Sequence, residues 1–215
     1  GGSVDAAREA AEGKAIQIYA ELSTMRRETV QQIATIMEAK GISFVDGTVS
    51  GGVSVAARGE LSHMMAGPKE AMARVEAVMA PVTAHSWHLS ETPGHAQLCK
   101  LCNNAIGFTL FMASCEALSV GAHCGLNPAA MIEAVNAGSG VNHWTRDKFA
   151  PHILSRSFDA GGKMFGGPPA FDLYLEEATR VGMPDGLIKA ARDAWFDTAL
   201  EFEDQTVDFT HLVES

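Results

Sequence analysis

The stretch that decides the fold is residues 94–122, GHAQLCKLCNNAIGFTLFMASCEALSVGA. Most of its residues are apolar and favour a helix, which would be roughly 43 Å long at 1.5 Å per residue. A helix of that length must cross from one domain into another or join a partner subunit. Because apolar side chains lie nearly all round it, we expect burial on several sides, as in a central helix or a dimer core.

The chain has different patterns on the two sides of this helix. Before it, strands alternate with helices: we predict strands at 15–21, 42–45, 61–66 and 84–87, and helices at 5–12, 26–40 and from Pro68. After it we predict only helices, starting at Asn127-Pro128 and covering 142–154, 170–181 and 185–201. The sequence therefore predicts an α/β domain with a parallel or mixed sheet over residues 1–92, followed by an all-α domain over residues 93–215.

Residues 94–104, GHAQLCKLCNN, place Lys100 and Asn104 four residues apart in the long helix. That spacing puts the two side chains one turn apart on one helix face. A lysine beside an amide is a plausible device for moving a proton to or from a substrate oxygen. The alternative is a lysine that extends from a half-buried helix to reach water.

Residues 42–60, ISFVDGTVSGGVSVAARGE, contain the second candidate site. We predict that a buried strand ends at Val45 and that Asp46-Gly47 opens a turn. In the following Ser50-Gly51-Gly52, uncovered backbone N–H groups and a hydroxyl could hold an anion at the carboxyl end of the strand. Taken alone, this tripeptide is a weak signal, since most such tripeptides are simply turns.

Together, and in this order, the two stretches resemble the β-hydroxyacid dehydrogenase family. Residues 44–52, FVDGTVSGG, are similar to its substrate-binding block, and residues 94–104 resemble its Gly-x-Gly-x-x-x-Lys-x-x-Asn-Asn catalytic block. Leu22-Ser23-Thr24 follows the first predicted strand, where the family has a Ser-Thr loop beside the nicotinamide. The resemblance implies the carboxyl-terminal part of a Rossmann-like domain, a long connecting helix and a helical domain.

The resemblance also implies roles for single residues. Lys100 would exchange a proton with the substrate hydroxyl, while Asn104 and the weaker candidate Asn103 would hold the lysine or the substrate. Ser50, Gly51 and Gly52 would bind the substrate carboxylate. Thr24 and Ser23 would lie beside the nicotinamide of NAD or NADP. The substrate would be a small β-hydroxy acid or its semialdehyde, and no metal is implied.

Three positions depart from the family pattern. The family has a Gly-x-Gly-x-x-Gly turn after its first strand, and this chain has none; we therefore expect that the amino-terminal part of the nucleotide domain is missing and that the chain alone binds NAD(P) poorly. The second glycine of the catalytic block is Ala96. The family has a Lys-Asp-Leu sequence on a later helix. The matching residues of this chain are Phe171-Asp172-Leu173, so Phe171 stands where the family has a lysine.

Composition and charge indicate which kinds of binding partner the chain is expected to have. The formal net charge of −10 argues against nucleic acid binding through the overall field. We find no apolar run of the roughly 18 residues that a membrane span needs, and we expect no membrane partner. Cys99-x-x-Cys102 lies inside the predicted helix rather than at its start, which favours packing thiols over a redox pair in a reducing cytoplasm.

Two functions from different classes therefore stay open. The first is an NAD(P)-dependent dehydrogenase or reductase that forms a homodimer or higher homo-oligomer through its helical domain. The second is a non-enzymatic helical dimer module derived from such an enzyme. The missing glycine turn and Phe171 favour the second, whereas Ser50-Gly51-Gly52 and the Lys100/Asn104 pair favour the first.

Overall fold

A computed structural model describes residues 2–13, 15–204 and 206–214. Gly1, the first residue of the Gly1-Gly2-Ser3 cluster that precedes the first predicted helix, lies outside these residues. The chain divides into two compact units, Gly1–Cys102 and Asn103–Ser215.

The first unit is a four-stranded mixed sheet with helices, as the sequence predicts. Its strands follow chain order, and the pairs β1–β2 and β3–β4 are parallel while β2–β3 is antiparallel. In chain order the elements are α1 (Gly2–Ala11), β1 (Ile18–Glu21), α2 (Arg27–Glu38), β2 (Ser43–Ser50), α3 (Gly52–Ala57), β3 (Leu61–Ala66), α4 (Lys69–Met79), β4 (Thr83–Ser90) and the start of α5 (His95–His123).

Strand β2 corrects the prediction of a turn at Asp46-Gly47. The strand continues through both residues to Ser50, because β3 pairs with it along this segment, from Asp46 opposite Ala66 to Ser50 opposite Ser62. Pairing with β3 satisfies the hydrogen-bonding groups of the backbone in an extended conformation, whereas the dipeptide by itself favours a turn. Ser50-Gly51-Gly52 still follows the strand directly, and the short helix α3 that begins there was not predicted.

Two apolar layers stabilise this unit. One packs Val30, Ile33 and Met37 of α2 against Phe44. The other packs Met72 and Val75 of α4 against Val45 and Met65. The spacing of apolar residues after Pro68 predicts that Val78 points inward with Met72 and Val75, and this prediction is wrong. Val78 is 77% exposed, and Met79 packs against this layer instead.

The second unit is all-helical. It contains the rest of α5, then α6 (Pro128–Ala137), α7 (His143–Asp147), a π-helical segment (Phe149–Leu154), a 3₁₀ turn (Met164–Gly166), α8 (Gly167–Val181), α9 (Gly186–Ala199) and a 3₁₀ segment (Phe209–Glu214). Asn127 caps α6 as predicted, since its Oδ1 accepts the N–H of Ala130 at 3.1 Å. The helix predicted at 142–154 is instead α7 followed by the π-helical segment.

An aromatic core holds this unit together, and Phe171 belongs to it. The buried rings are Phe111, Trp144, Phe149, Phe171, Trp195 and Phe209. Phe171 is fully buried, with its ring 6.2 Å from that of Trp195. Trp195 Nε1 donates to the carbonyl of Met164 at 2.8 Å, so the indole is satisfied. At this position a phenylalanine contributes packing, whereas a lysine would need a partner for its buried charge.

Helix α5 is less buried within the chain than its composition suggests. Phe111, Met112 and Cys115 are buried, but Ile106 is 59% and Val120 is 65% exposed. By length and composition alone α5 could cross a membrane, which corrects the expectation that no segment is apolar enough; core helices of globular proteins meet the same criterion. The expected burial on several sides therefore does not occur inside the described chain.

His63 of β3 is a fully buried histidine packed against Gly47 of β2. A Cβ added at Gly47 would lie 3.0 Å from Nε2 of the imidazole, so only glycine leaves room for the ring. Neither ring nitrogen has a hydrogen-bond partner within the described part of the chain. Burial lowers the pKa of His63 from its usual 6.5, although the nearby backbone of Gly47 and, after it, the charge of Glu76 act in the opposite direction.

We expect His63→Leu to stabilise the protein, because it removes two unsatisfied buried nitrogens. The free energy of unfolding at pH 7.5 should rise by about 1–2 kcal/mol. Below pH 6.5 the unfolded chain takes up the histidine proton before the folded chain does, so the wild type loses stability and the difference widens at pH 5.5. Denaturant titrations at both pH values test this, with the exposed His85→Leu as control; a difference that does not grow on acidification contradicts the explanation.

Candidate active site

The buried carboxylate of Asp46 holds the start of α5. Its Oδ2 accepts the backbone N–H groups of Gly94, Ala96 and Gln97 at 2.9, 3.0 and 3.1 Å. These N–H groups belong to the first turn, where a helix has no internal acceptors for them and carries partial positive charge. Burial raises the pKa of Asp46, and the hydrogen bonds from α5 oppose that effect. Asp46 thus fixes α5 on the middle of β2.

Gln97 extends this connection to the loop after β1. Its side chain is fully buried, and its Nε2 donates both to Asp46 Oδ1 at 3.1 Å and to the carbonyl of Ser23 at 2.8 Å. Its Oε1 accepts the N–H of Met25 at 3.0 Å. One amide therefore joins the loop at residues 23–25, strand β2 and helix α5.

The face of β2 that contacts α5 continues toward Ser50. Because side chains alternate along a strand, Asp46, Thr48 and Ser50 share one face. Thr48 Oγ1 donates to the carbonyl of Ala96 at 3.2 Å, and in an α-helix the same carbonyl accepts the N–H of Lys100. Ser50 lies one alternation further along the strand, so it and Lys100 lie on two elements that these bonds hold together.

Lys100 is half-buried in α5, between the half-buried Cys99 and the buried Leu101. Burial lowers the pKa of Lys100 from 10.5 to about 8. Its ammonium group makes no hydrogen bond or ion pair among residues 2–13, 15–204 and 206–214. A lysine with this pKa exists in both protonation states near neutral pH and can therefore give or take a proton.

The glycines after β2 have a conformation that glycine alone adopts easily. Gly51 has φ = 140° and Gly52 has φ = 76°. A Cβ at Gly51 would lie 2.6 Å from Cγ1 of Val55, whereas one at Gly52 would meet no atom within 4 Å. The backbone above Gly52 is therefore open, and a ligand can approach it closely.

The other candidate residues lie on the loop after β1 and further along α5. Ser23 and Thr24 have exposed side chains, and Gln97 holds the Ser23 carbonyl. Asn104 is half-buried, one turn after Lys100, and accepts a hydrogen bond from Nδ2 of the exposed Asn103 at 3.4 Å. Lys100, Ser23, Thr24 and Ser50 are positioned within the first unit, while the two asparagines fall in the second.

Three residues that position the site, Asp46, Thr48 and Gln97, are not among those predicted from the sequence. A signal was present, since Asp46, Thr48 and Ser50 are polar at every second position of an otherwise apolar strand. That pattern predicts one polar strand face, which needs partners when it is buried. Cys99 and Cys102 have pKa values raised by burial, which favours their interpretation as packing thiols.

The fold and these residues define a Rossmann-like unit followed by a helical unit, and comparison with known families gives the same class. Residues 94–215 match the family described as NAD-binding of NADP-dependent 3-hydroxyisobutyrate dehydrogenase. Residues 5–92 match the NAD binding domain of 6-phosphogluconate dehydrogenase. The chain belongs to the β-hydroxyacid dehydrogenase family, as its sequence blocks predict.

Individual relatives agree with this assignment. The chain is 35% identical over 131 residues to 3-hydroxyisobutyrate dehydrogenase of Pseudomonas aeruginosa, covering 61% of this chain and 43% of the relative. It is 28% identical over 151 residues to 2-(hydroxymethyl)glutarate dehydrogenase of Eubacterium barkeri, covering 70% of this chain and 50% of that protein. The chain thus spans about half the length of these curated relatives.

A solved structure supports the fold. The 3-hydroxyisobutyrate dehydrogenase of Mycobacterium tuberculosis, solved with L-serine, matches with a TM-score of 0.83 over 98% of this chain and 75% of that chain. The identity is 21%, so this likeness concerns the fold alone.

Gly51 and Gly52 form a matched pair for testing the bend. We expect Gly51→Ala to lower the free energy of unfolding by about 2–4 kcal/mol. Alanine rarely adopts the φ of this position, and its Cβ would also overlap the Val55 side chain. Gly52→Ala has the conformational cost alone, about 1–2 kcal/mol. Chemical denaturation of both variants measures the difference, and equal losses would show that the contact with Val55 is not tight.

Proposed function

We propose that the protein containing this chain is an NAD(P)-dependent oxidoreductase that interconverts a small β-hydroxy acid and its semialdehyde. The observation that carries the proposal is Lys100: a half-buried lysine with a pKa of about 8, on a helix bound to the strand that ends in Ser50-Gly51-Gly52. The family supports the reaction class, and the dehydrogenases among its relatives favour an enzyme over a non-enzymatic dimer module.

Lys100 would be the proton donor and acceptor. In the oxidation direction its neutral amine takes the proton of the substrate hydroxyl. In the reduction direction its ammonium group gives that proton to the developing alkoxide. The lowered pKa makes both forms accessible near pH 8, which is the requirement for a general acid–base group working in both directions.

The bend at residues 50–52 would bind the substrate carboxylate. The hydroxyl of Ser50 and the backbone N–H groups of the two glycines are donors, and the open space over Gly52 admits an anion to the backbone. Asn104, and less directly Asn103, would donate to the substrate or orient the amine of Lys100. A carboxylate held at one end and a hydroxyl at the other select a small β-hydroxy acid.

The loop after β1 fits the nicotinamide end of the cofactor. The side chains of Ser23 and Thr24 are exposed, while the loop backbone is fixed by Gln97, so their hydroxyls can hydrogen-bond a carboxamide without reorganising the loop. When bound, NAD or NADP supplies the hydride acceptor or donor. The residues of this chain would orient that ring and exclude water from its neighbourhood.

We further propose that the protein forms a homodimer or higher homo-oligomer through its helical domain. The exposed Ile106, Leu110 and Val120 leave apolar surface on α5 that a second copy could cover. A small carboxylate is the expected ligand, with neither nucleic acid nor membrane as a partner. The division into domains at residues 1–92 and 93–215 belongs to this proposal, as does a cytoplasmic location, which the free cysteines suit.

Replacing the lysine tests the mechanism. In the longest natural polypeptide that contains this chain, Lys100→Ala should reduce kcat by about 10²- to 10⁴-fold, because proton transfer loses its positioned group. Fold and cofactor affinity should change little. Steady-state kinetics with a panel of β-hydroxy acids, circular dichroism and cofactor titration measure these effects, with the exposed Lys69→Ala as control. Near-normal turnover of Lys100→Ala would remove the lysine from the mechanism.

The pH dependence provides a second test with a defined sign. Oxidation needs the neutral amine, so kcat/KM should rise with pH through about 8 and then level off. Reduction needs the ammonium group, so its kcat/KM should fall over the same range. Lys100→Arg, which stays protonated, should abolish both transitions. Profiles that move in the same direction in oxidation and reduction would contradict the assignment.

A further inference from the structure

We propose that Gln97 and Asp46 form a positioning clasp, which holds the helix of Lys100 at a fixed distance from the loop at residues 23–25. The clasp rests on the function proposed above, since it places the proton-transferring amine relative to the loop assigned to the nicotinamide. Neither residue is proposed to touch the substrate.

The hydrogen bonds of the clasp form a continuous chain through the first unit. Asp46 Oδ2 holds three N–H groups of the first turn of α5, and its Oδ1 accepts from Gln97 Nε2. The same amide then donates to the Ser23 carbonyl and accepts from the Met25 N–H. Residues about seventy positions apart in the chain are thereby joined through a single side chain.

The orientation of the Gln97 amide is fully determined by its neighbours. Nε2 faces two oxygen acceptors, and Oε1 faces an N–H donor. A flipped amide would place its oxygen against two oxygens and its nitrogen against an N–H, which loses every bond. A glutamate would set a second carboxylate 3.1 Å from Asp46 Oδ1, so an uncharged donor is required at this point.

Gln97 is close enough to Lys100 along α5 to affect where the lysine lies. The two residues are three apart in α5, so any rotation or slide of the first turn is transmitted to the lysine within one turn of helix. Positioning to about 1 Å matters in proton and hydride transfer, where such an error can reduce the rate by about 10²-fold. The clasp therefore acts on the rate through geometry rather than through contact with reactants.

Gln97→Met and Gln97→Glu test the clasp in the longest natural polypeptide that contains this chain. Gln97→Met keeps the volume and removes the three bonds; kcat should fall about 10- to 100-fold, with the KM for the hydroxy acid within twofold. Thr210→Val is the control, because it also loses one buried side-chain hydrogen bond but lies in the second unit, outside the clasp. It should keep kcat within about twofold.

Gln97→Glu gives a signature that a merely structural role would not produce. The new carboxyl is buried beside Asp46, so it takes up a proton as the pH falls and can then donate one of the two hydrogen bonds that the amide donates. The ratio of its kcat to that of the wild type at the same pH should therefore recover from about pH 8 to pH 6. A ratio independent of pH would overturn the requirement for a donor at this position.

Two measurements do not depend on turnover, so they separate failure of the clasp from failure of the proposed reaction. In Gln97→Met the Met25 amide, which loses its acceptor, should exchange hydrogen at least tenfold faster. The pKa of Lys100, followed by NMR after ¹³C-methylation of lysines, should move upward from about 8. If both match Thr210→Val, the clasp is disproved even in an active enzyme. If wild-type turnover is absent but both respond, only the reaction is disproved.

Discussion

The structure of the first unit depends on the interaction between the Asp46 carboxylate and the first turn of α5. A buried carboxylate loses several kcal/mol of solvation, and the first N–H groups of a helix have no acceptors within it. The two groups satisfy each other, because three N–H groups of the helix donate to one charged oxygen of Asp46. A hydrogen bond to a charged group contributes about 1.5–3 kcal/mol to the stability of the fold. Because both partners are buried, neither can be satisfied by water instead.

This interaction constrains the path of β2. The strand must remain extended beyond Asp46 so that Thr48 can reach the Ala96 carbonyl and Ser50 can lie on the same face. The antiparallel partner β3 makes that extension possible, because it pairs with the strand over residues 46–50. The packing of His63 against Gly47 follows on the opposite face, where the absence of a Cβ leaves room for the ring. The contacts of Asp46 and Thr48 that fix α5 on β2 therefore also fix the position of the bend at residues 50–52.

Sequence reasoning reached the class of fold, the long helix and the family, because these depend on repeated patterns and on two spaced blocks. The prediction failed at Asp46-Gly47, where pairing with Ala66 and Met65 of β3 outweighs the local turn preference. Gln97 escaped notice because its partners are distant in the chain, and nothing in GHAQLCK marks the glutamine as buried. Phe171 was interpreted only as a lost lysine, whereas the structure shows its packing role in the aromatic core. The placement of the individual site residues remains a prediction.

The protonation chemistry of Lys100 is governed by solvation. Burial is the cause of its lowered pKa, and within the described residues no neighbouring charge contributes an ion pair. A pKa set in this way depends on how closely apolar groups surround the amine, so it depends on where α5 lies. Mobile exposed side chains could not hold such a value, because water would restore the pKa of free lysine. An apolar helix with a rigid first turn can hold it, and this explains why a catalytic lysine would lie between a cysteine and a leucine.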